Sequence, residues 1–132
     1  MASDVISEDL KRAVKLFNRW QFNEAYDAFV ALMQETDGRE KQFLDALAHL
    51  SAAFHRIWHK GGEPNAMVSY LTKGIQMLRP YRRGVLDIDM TGLVQALEGC
   101  HDEALRWRRG DEELYNRDII PRLEFVGKPV ED

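Results

Sequence analysis

Apolar residues recur at spacings of three and four along most of the chain, which is the period of an amphipathic α-helix. Five stretches show this pattern, and the apolar positions of the third, the best core candidate, are Phe43, Leu44, Leu47, Leu50, Phe54, Ile57 and Trp58. No two stretches show the alternation of a strand pair. The sequence therefore predicts an all-α fold, a single-domain antiparallel bundle of about five helices joined by short turns.

Residues that start and stop helices separate these stretches. Helix starts are predicted at Ser7, at Asp37, at Pro64 and at Asp87 or Asp89. Asp37 and Glu40 have the spacing of a capping box, in which each side chain bonds the other residue's backbone N–H. Gly61 and Gly62 are predicted to end the third helix, because glycine readily takes the left-handed conformation found at such ends.

The helical pattern thins after Gly110. Residues 1–110 are therefore predicted to form a helical bundle domain, and residues 111–132 an irregular C-terminal tail packed back over it. The tail carries two prolines, which disfavour a further helix. The apolar residues predicted to anchor it are Ile119, Ile120, Leu123 and Phe125.

The composition narrows the classes of function. The chain has 132 residues, 45% of them hydrophobic and 30% charged, so it has enough apolar surface to form a core. Its net charge of −4 disfavours a nucleic-acid partner, since phosphate binding requires clustered positive charge. Cys100 is the only cysteine, so neither an internal disulfide nor a cysteine-based zinc site is predicted.

No stretch approaches the roughly 18–20 apolar residues that a membrane span requires. The first twenty residues carry charges throughout and lack the apolar centre of a signal peptide. The sequence therefore predicts a cytoplasmic protein without a membrane partner. It contains no glycine-rich phosphate loop and no hydrolase serine motif, so no cofactor is predicted.

The stretch WQFNEAYDAF, residues 20–29, holds the first candidate polar side chains. On a helix, Tyr26 shares a stripe with Phe22, so its ring is predicted to point into the core. Glu24 and Asp27 are predicted at the edges of this stripe. A general acid–base pair would require both carboxylates to converge on one cleft, whereas a solvated boundary pair would not. The spacing favours the boundary pair.

The histidines supply the other candidates. His55 and His59 are four residues apart on the third helix, a spacing that can place two imidazoles on one metal ion. No third ligand stands at a recognisable spacing, so no metal site is predicted. His49 follows Asp45 by four residues, and this pair is predicted to stabilise the helix edge. The candidate polar cluster is Glu24, Tyr26, Asp27, His49 and His55.

The order of these features resembles the family called domain of unknown function 309, which consists of small all-helical bacterial and archaeal proteins. The family pattern opens with Phe-Asn, a glycine, an aromatic residue and Glu-Ala-His-Glu. The matching segments here are Phe17-Asn18, Phe22, Glu24-Ala25, LSAAFH at 50–55, LRPY at 78–81 and LDID at 86–89. The resemblance spans roughly residues 10–100 and implies a helical fold with a polar cluster between the second and third helices. It implies no established activity.

The chain departs from the family pattern at its most polar positions. Trp20 replaces the glycine, Tyr26 the histidine and Asp27 the second glutamate. Asp45 and His49 stand where the family tends to have glutamines. Tyrosine has a pKa of about 10 and cannot supply the lone pair of an imidazole near neutral pH. If family members use that histidine as a base or as a metal ligand, Tyr26 cannot take over this role in the present chain.

Two functions stay open. The first is a non-catalytic protein-interaction or self-association module, with a protein partner or a homo-oligomer. Catalytic motifs are missing, and an exposed patch among Trp20, Trp58 and Trp107 would mark an interface, although Trp20 and Trp58 are expected to pack inside the bundle. The alternative is a small-molecule or metal-binding site, possibly hydrolytic, built from the candidate polar cluster between helices two and three. Because the sequence lacks recognisable catalytic motifs, the interaction module is favoured over the binding site, and the absence of enzymatic activity is favoured over its presence.

Overall fold

The computed structural model describes residues 7–127, which form five α-helices and three short 3₁₀-helices. The α-helices are α1 (Glu8–Asn18), α2 (Phe22–Met33), α3 (Gly38–His55), α4 (Pro64–Leu78) and α5 (Leu93–Arg109). The 3₁₀-helices are His59–Gly61, Arg79–Tyr81 and Arg117–Ile119. Within residues 7–127 the only β-pairing is an isolated bridge between Ile88 and Phe125, which confirms the all-α prediction. No helix in this range is long and apolar enough to cross a membrane.

α1 begins at the predicted cap. Ser7 Oγ accepts a hydrogen bond from the backbone N–H of Leu10 at 3.1 Å, which satisfies one of the free donors of the first turn. The helix ends at Asn18, and the chain then turns through Trp20 into α2. Trp20 has a φ of +64°, and a side chain larger than glycine in this left-handed region costs about 1–2 kcal/mol.

α3 lies at the centre of the bundle, because it packs against both α2 and α4. α1 packs on α2, and α5 packs on α4. α3 and α4 approach each other closely at Gly74, where an added β-carbon would lie 2.8 Å from Cδ2 of Leu50. The large buried side chains of α3 are Phe43, Leu44, Leu47, Leu50 and Phe54. These are the residues that the sequence pattern placed in the core.

The end of α3 differs from the prediction. The α-helix ends at His55, well before the two glycines, so Trp58 lies in the following turn and is exposed. Gly62 has a φ of +113°, and an added β-carbon there would lie 2.6 Å from Cζ2 of Trp107. This close approach holds the connection between α3 and α4 against α5.

Two of the caps predicted from aspartates are wrong. α5 begins at Leu93 with Gly92 as its N-cap, and Asp89 Oδ1 instead accepts the backbone N–H of Thr91 at 2.9 Å. Asp37 does precede α3, but its side chain makes no capping hydrogen bond, so the predicted capping box does not form. An aspartate side chain readily accepts hydrogen bonds from the backbone of a local turn. The Asp89 side chain does so at Thr91 and does not cap α5.

The tail packs back onto the bundle through specific hydrogen bonds. Asn18 Nδ2 donates to the carbonyl of Leu123 at 2.9 Å, and Asn18 Oδ1 accepts the backbone N–H of Leu123 at 2.7 Å. Leu123 and Phe125 are buried as predicted, and Ile120 is half-buried. Ile119 was expected to anchor the tail, but it is exposed at the end of the 3₁₀-helix Arg117–Ile119.

A tyrosine that the sequence pattern did not identify fixes the tail to α5. The hydroxyl of Tyr115 donates to the carbonyl oxygen of Cys100 at 2.9 Å, and its ring packs edge-on against Trp107 with centroids 5.9 Å apart. Burial raises the pKa of Tyr115, so the hydroxyl stays a donor at any ordinary pH. The end of the predicted tail, after residue 127, lies outside the described residues.

Candidate functional site

All three candidate residues of α2 are exposed. Glu24 and Asp27 are exposed, in keeping with their predicted edge positions. The prediction that Tyr26 points into the core is wrong, because this residue is 39% exposed. The buried stripe of α2 is narrower than the pattern indicated and consists of Phe22, Ala25 and Phe29. Tyr26 therefore lies at the border between this stripe and solvent.

His49 takes part in a helix-edge contact. Its Nδ1 lies 2.9 Å from the carbonyl oxygen and 3.1 Å from Oδ1 of Asp45, so the predicted contact between the two residues is confirmed. Its ring packs edge-on against that of Tyr70, with centroids 6.2 Å apart. Such pairs stabilise a helix modestly and require no ligand.

Tyr26 and His55 meet at a cavity of about 170 Å³ between α2, α3 and α4. The lining residues are Asn23, Tyr26, Ala52, His55, Arg56 and Tyr70. Glu24, Asp27 and His49 are not among them. The candidate polar cluster therefore assembles only in part, and its missing members are replaced by polar residues that the sequence pattern did not identify.

Arg56, at the end of α3, is held by contacts with Glu63 and Tyr70. Its Nη1 donates to Glu63 Oε1 at 2.8 Å, and its Cζ lies 5.4 Å from the centroid of the Tyr70 ring. The hydrogen bond to Glu63 raises the pKa of Arg56, which keeps the guanidinium charged. Arg56 Nε is buried and has no hydrogen-bond partner among residues 7–127. The sequence did not single out Arg56, because a cation at a helix end is expected from the helix dipole alone.

His55 is neutral near pH 7. Burial lowers its pKa, and the charges of His59 and Arg56 act in the same direction. Glu24 and Glu63 oppose this shift. The rings of His55 and His59 have centroids 5.1 Å apart, but within residues 7–127 no group of three or more histidines, cysteines and carboxylates is arranged to hold a metal ion.

Cys100 lies in the core of α5, away from any cavity described above. Its thiol is fully buried and donates a weak hydrogen bond to the carbonyl of Ile119 at 3.5 Å. Burial raises the pKa of Cys100 to about 11. Because the thiolate is the reactive form of cysteine, this buried side chain is a packing residue.

A second group of side chains lies at the surface formed by the ends of α1 and α3. The rings of Trp20 and Trp58 have centroids 5.8 Å apart, and each residue is 40% exposed. Arg117 Cζ lies 5.9 Å from the ring of Trp20 and 5.8 Å from the ring of Trp58. Phe22 stacks on Trp58 with centroids 6.0 Å apart and connects the group to the core. We call Trp20, Trp58 and Arg117 the tryptophan–arginine patch.

The expectation that Trp20 and Trp58 pack inside the bundle is wrong. Trp58 is exposed because α3 ends before it, and Trp20 lies in the turn after α1. The left-handed backbone of Trp20 is a locally strained conformation for a residue other than glycine. Strained positions of this kind cluster at functional sites.

Comparison of the chain with protein-family models, with curated proteins and with solved structures finds no match in any of the three. The resemblance to domain of unknown function 309 therefore stays a prediction. The described residues define an all-α helical bundle that carries two candidate sites, the cavity beside Arg56 and the tryptophan–arginine patch.

Proposed function

We propose that this protein is a non-catalytic interaction module that binds a protein partner through the tryptophan–arginine patch. The observation that carries this proposal is the single guanidinium of Arg117 facing two exposed tryptophan rings. Tryptophan and arginine are among the residues most enriched at the energetic centres of protein interfaces. Their large rigid surfaces bind with little loss of side-chain freedom.

The size of the patch favours a short partner segment over a stable dimer. Each side of a standard interface buries about 800 Å². A fully exposed tryptophan offers up to about 250 Å², so two rings at this exposure supply roughly 200 Å² together. A second copy of the chain would need much more apolar surface, whereas a short segment needs only one apolar side chain to cover the two rings.

The charge around the patch indicates an acidic partner. Arg19 directly precedes Trp20, Lys60 follows Trp58 by two residues, and both cations are exposed. With Arg117 they place three exposed cations at or next to the patch in sequence, against one exposed carboxylate, Asp118, although the whole chain carries a net charge of −4. Acidic residues on either side of an apolar anchor would complement this arrangement and speed association.

Two broader assignments belong to the same proposal. Membership of the domain of unknown function 309 family is supported by the φ of +64° at Trp20, where the family pattern has a glycine that would adopt this conformation without strain. A cytoplasmic location is supported by the cysteine usage, since Cys100 is the only cysteine in the sequence and its thiol is buried.

Selection from a displayed library of random peptides tests the proposal. The immobilised protein is expected to enrich peptides in which acidic residues flank one aromatic or aliphatic residue. The affinity of a selected peptide, measured by fluorescence anisotropy, should fall about 30-fold in Trp58→Ala and in Arg117→Ala, because a central interface residue contributes about 2 kcal/mol or more.

Arg39→Ala is the matched control. Arg39 Cζ lies 5.7 Å from the ring of Tyr81, so this variant removes a similar arginine–aromatic pair from another surface, and it should bind as the wild type does. If Arg39→Ala lost as much peptide affinity as Arg117→Ala, the loss would be due to the change in net charge, and the proposal would be contradicted. If sedimentation shows dimers of the wild type that Trp58→Ala abolishes, the partner at this patch is a second copy of the chain and not a short segment of another protein.

A further inference from the structure

We propose that the cavity between α2, α3 and α4 binds a small oxyanion, either a carboxylate or a phosphate group. The cavity brings together donors of several kinds: the guanidinium of Arg56, the amide of Asn23, the imidazole of His55 and the hydroxyls of Tyr26 and Tyr70. This oxyanion site is separate from the tryptophan–arginine patch and does not depend on the function proposed for it.

The unpaired N–H of Arg56 points to the chemical class of the ligand. A buried donor without an acceptor costs about 1–3 kcal/mol, and Arg56 Nε is such a donor. Glu63 pairs with Nη1, which holds the side chain in place and leaves Nε unpaired. A guanidinium binds carboxylate or phosphate oxygens through parallel N–H bonds. Because Nε is covered by neighbouring atoms, binding requires the guanidinium to turn slightly toward the cavity.

The volume limits the size of the ligand. About 10–15 Å³ of cavity volume holds one water molecule, so a cavity of about 170 Å³ holds a small cluster of water molecules or one small anion. Inorganic phosphate and acetate are small enough to enter whole. A larger molecule could place only one terminal phosphate or carboxylate inside, with the remainder outside the protein.

The charges around the cavity set the expected pH dependence. Glu63 offsets part of the charge of Arg56. The negative charge of Glu24, on α2, raises the pKa of His55. The protonation of His55 is opposed by burial, by His59 and by Arg56. A bound oxyanion would favour protonated His55, so binding should raise the pKa of His55. The affinity for acetate should increase as the pH falls below about 6.5, because a carboxylate stays ionised in this range, whereas phosphate itself gains a proton there.

A second cavity provides an internal control. It has a volume of about 460 Å³, and like the first cavity it is lined by an arginine and a histidine, Arg79 and His101. Its arginine is likewise paired with a glutamate, Glu98, as Arg56 is paired with Glu63. Arg79 Nη2 donates to Glu98 Oε2 at 2.7 Å, but among residues 7–127 the buried unpaired donor occurs only at Arg56. Equal binding at both cavities would therefore mean that charge alone is responsible.

NMR titration of the ¹⁵N-labelled protein with inorganic phosphate, and separately with acetate, tests the proposal. The Nε–H resonance of Arg56 and the ring resonances of His55 should shift with saturation, and the pKa of His55 should rise. Arg56→Lys keeps the positive charge but lacks the forked N–H donors, so affinity should fall at least 10-fold. Arg79→Lys should leave the affinity unchanged.

Each outcome decides for or against the oxyanion site. Tighter binding of phosphate or of acetate identifies the preferred group and supports the proposal. Shifts that grow linearly without saturation, or an equal loss in Arg56→Lys and Arg79→Lys, would overturn it. Trp58→Ala should leave oxyanion binding intact, so failure of the protein-partner proposal and failure of this one are distinguishable.

Discussion

The three tryptophans of this chain occupy two kinds of environment, and the difference separates structural aromatic residues from candidate binding ones. Trp107 is half-buried, its indole N–H donates to the carbonyl of Glu113 at 3.3 Å, and its ring covers Gly62. Trp20 and Trp58 instead lie against each other with 40% of each residue exposed. Packing accounts for Trp107, whereas the exposed pair retains surface that a partner can bury.

Two polar side chains show the same contrast. Glu103 is only 2% exposed, but its carboxylate accepts hydrogen bonds from Arg106 Nη2 at 2.8 Å and from the backbone N–H of Asn116 at 2.9 Å. Burial alone would raise its pKa, and these bonds, together with one from Glu112, hold the pKa below its usual value. Arg56 keeps a buried N–H without a partner within residues 7–127. The buried carboxylate of Glu103 therefore has its hydrogen-bond partners, whereas Arg56 Nε has none; the other buried side-chain atom without a partner in this range is an acceptor, Glu112 Oε2.

Gly62→Ala should produce the largest change in stability, because Trp107 leaves no space for a β-carbon. The clash and the left-handed backbone together should lower the free energy of unfolding by about 3 kcal/mol, measured by urea denaturation. Gly61→Ala is the control, since its added β-carbon meets nothing within 4 Å, and it should cost about 1 kcal/mol. Equal losses would show that Trp107 does not hold this turn.

Tyr115→Phe should have the next largest effect. It removes a buried hydrogen bond to the carbonyl of Cys100 and should lower the free energy of unfolding by about 1–2 kcal/mol. Tyr81→Phe removes an exposed hydrogen bond of 2.7 Å to Gln42 and should cost less than about 0.5 kcal/mol. If the two variants were equally stable in thermal unfolding, the tail would not be fixed to α5 by this bond.

Trp20 provides a smaller and more specific test. Trp20→Gly should be more stable than Trp20→Ala by about 1 kcal/mol, because only glycine relieves the left-handed backbone. This order is the reverse of that in a helix interior, where alanine is favoured over glycine. Chemical denaturation of the two variants compares them directly. Greater stability of the alanine variant would mean that the turn does not require a positive φ.

The smallest predicted effect is a pH dependence at His55. Because the folded protein has the lower pKa, the unfolded chain binds more protons, and stability decreases as the pH falls from about 6.5 through the folded pKa. The variant His55→Gln cannot take up this proton, so its stability should decrease less as the pH falls below about 6.5. Denaturation midpoints collected between neutral and mildly acidic pH measure it, and identical slopes for both proteins would contradict the assignment.

The helices and most of the core could be predicted from the sequence, because local periodicity decides both. Phe43, Leu47 and Leu50 are buried where their spacing placed them. The pattern failed at Trp58, where it extended the helical phase beyond the actual end of α3, and at Tyr26, where it assumed too wide a buried stripe.

The candidate sites could be predicted only in part: the sequence named Tyr26 and His55 for the cavity and Trp20 and Trp58 for the patch, but not Arg56 or Arg117, because those contacts depend on how separate elements pack together. The cavity requires three helices to meet, and its main cation pairs with Glu63 only after the chain has turned at the end of α3. The tryptophan–arginine patch joins Trp20 to Arg117, which comes from the far end of the chain. No local spacing carries information about such a contact.

The most direct test of the central claim is the affinity of one selected acidic peptide for the wild type, Arg117→Ala and Arg39→Ala, measured at a single ionic strength. If the tryptophan–arginine patch is the binding surface, Arg117→Ala should lose about 30-fold in affinity and Arg39→Ala should lose almost nothing. Equal affinities for the wild type and Arg117→Ala would contradict the claim, and the exposed tryptophans would then have no role in partner binding.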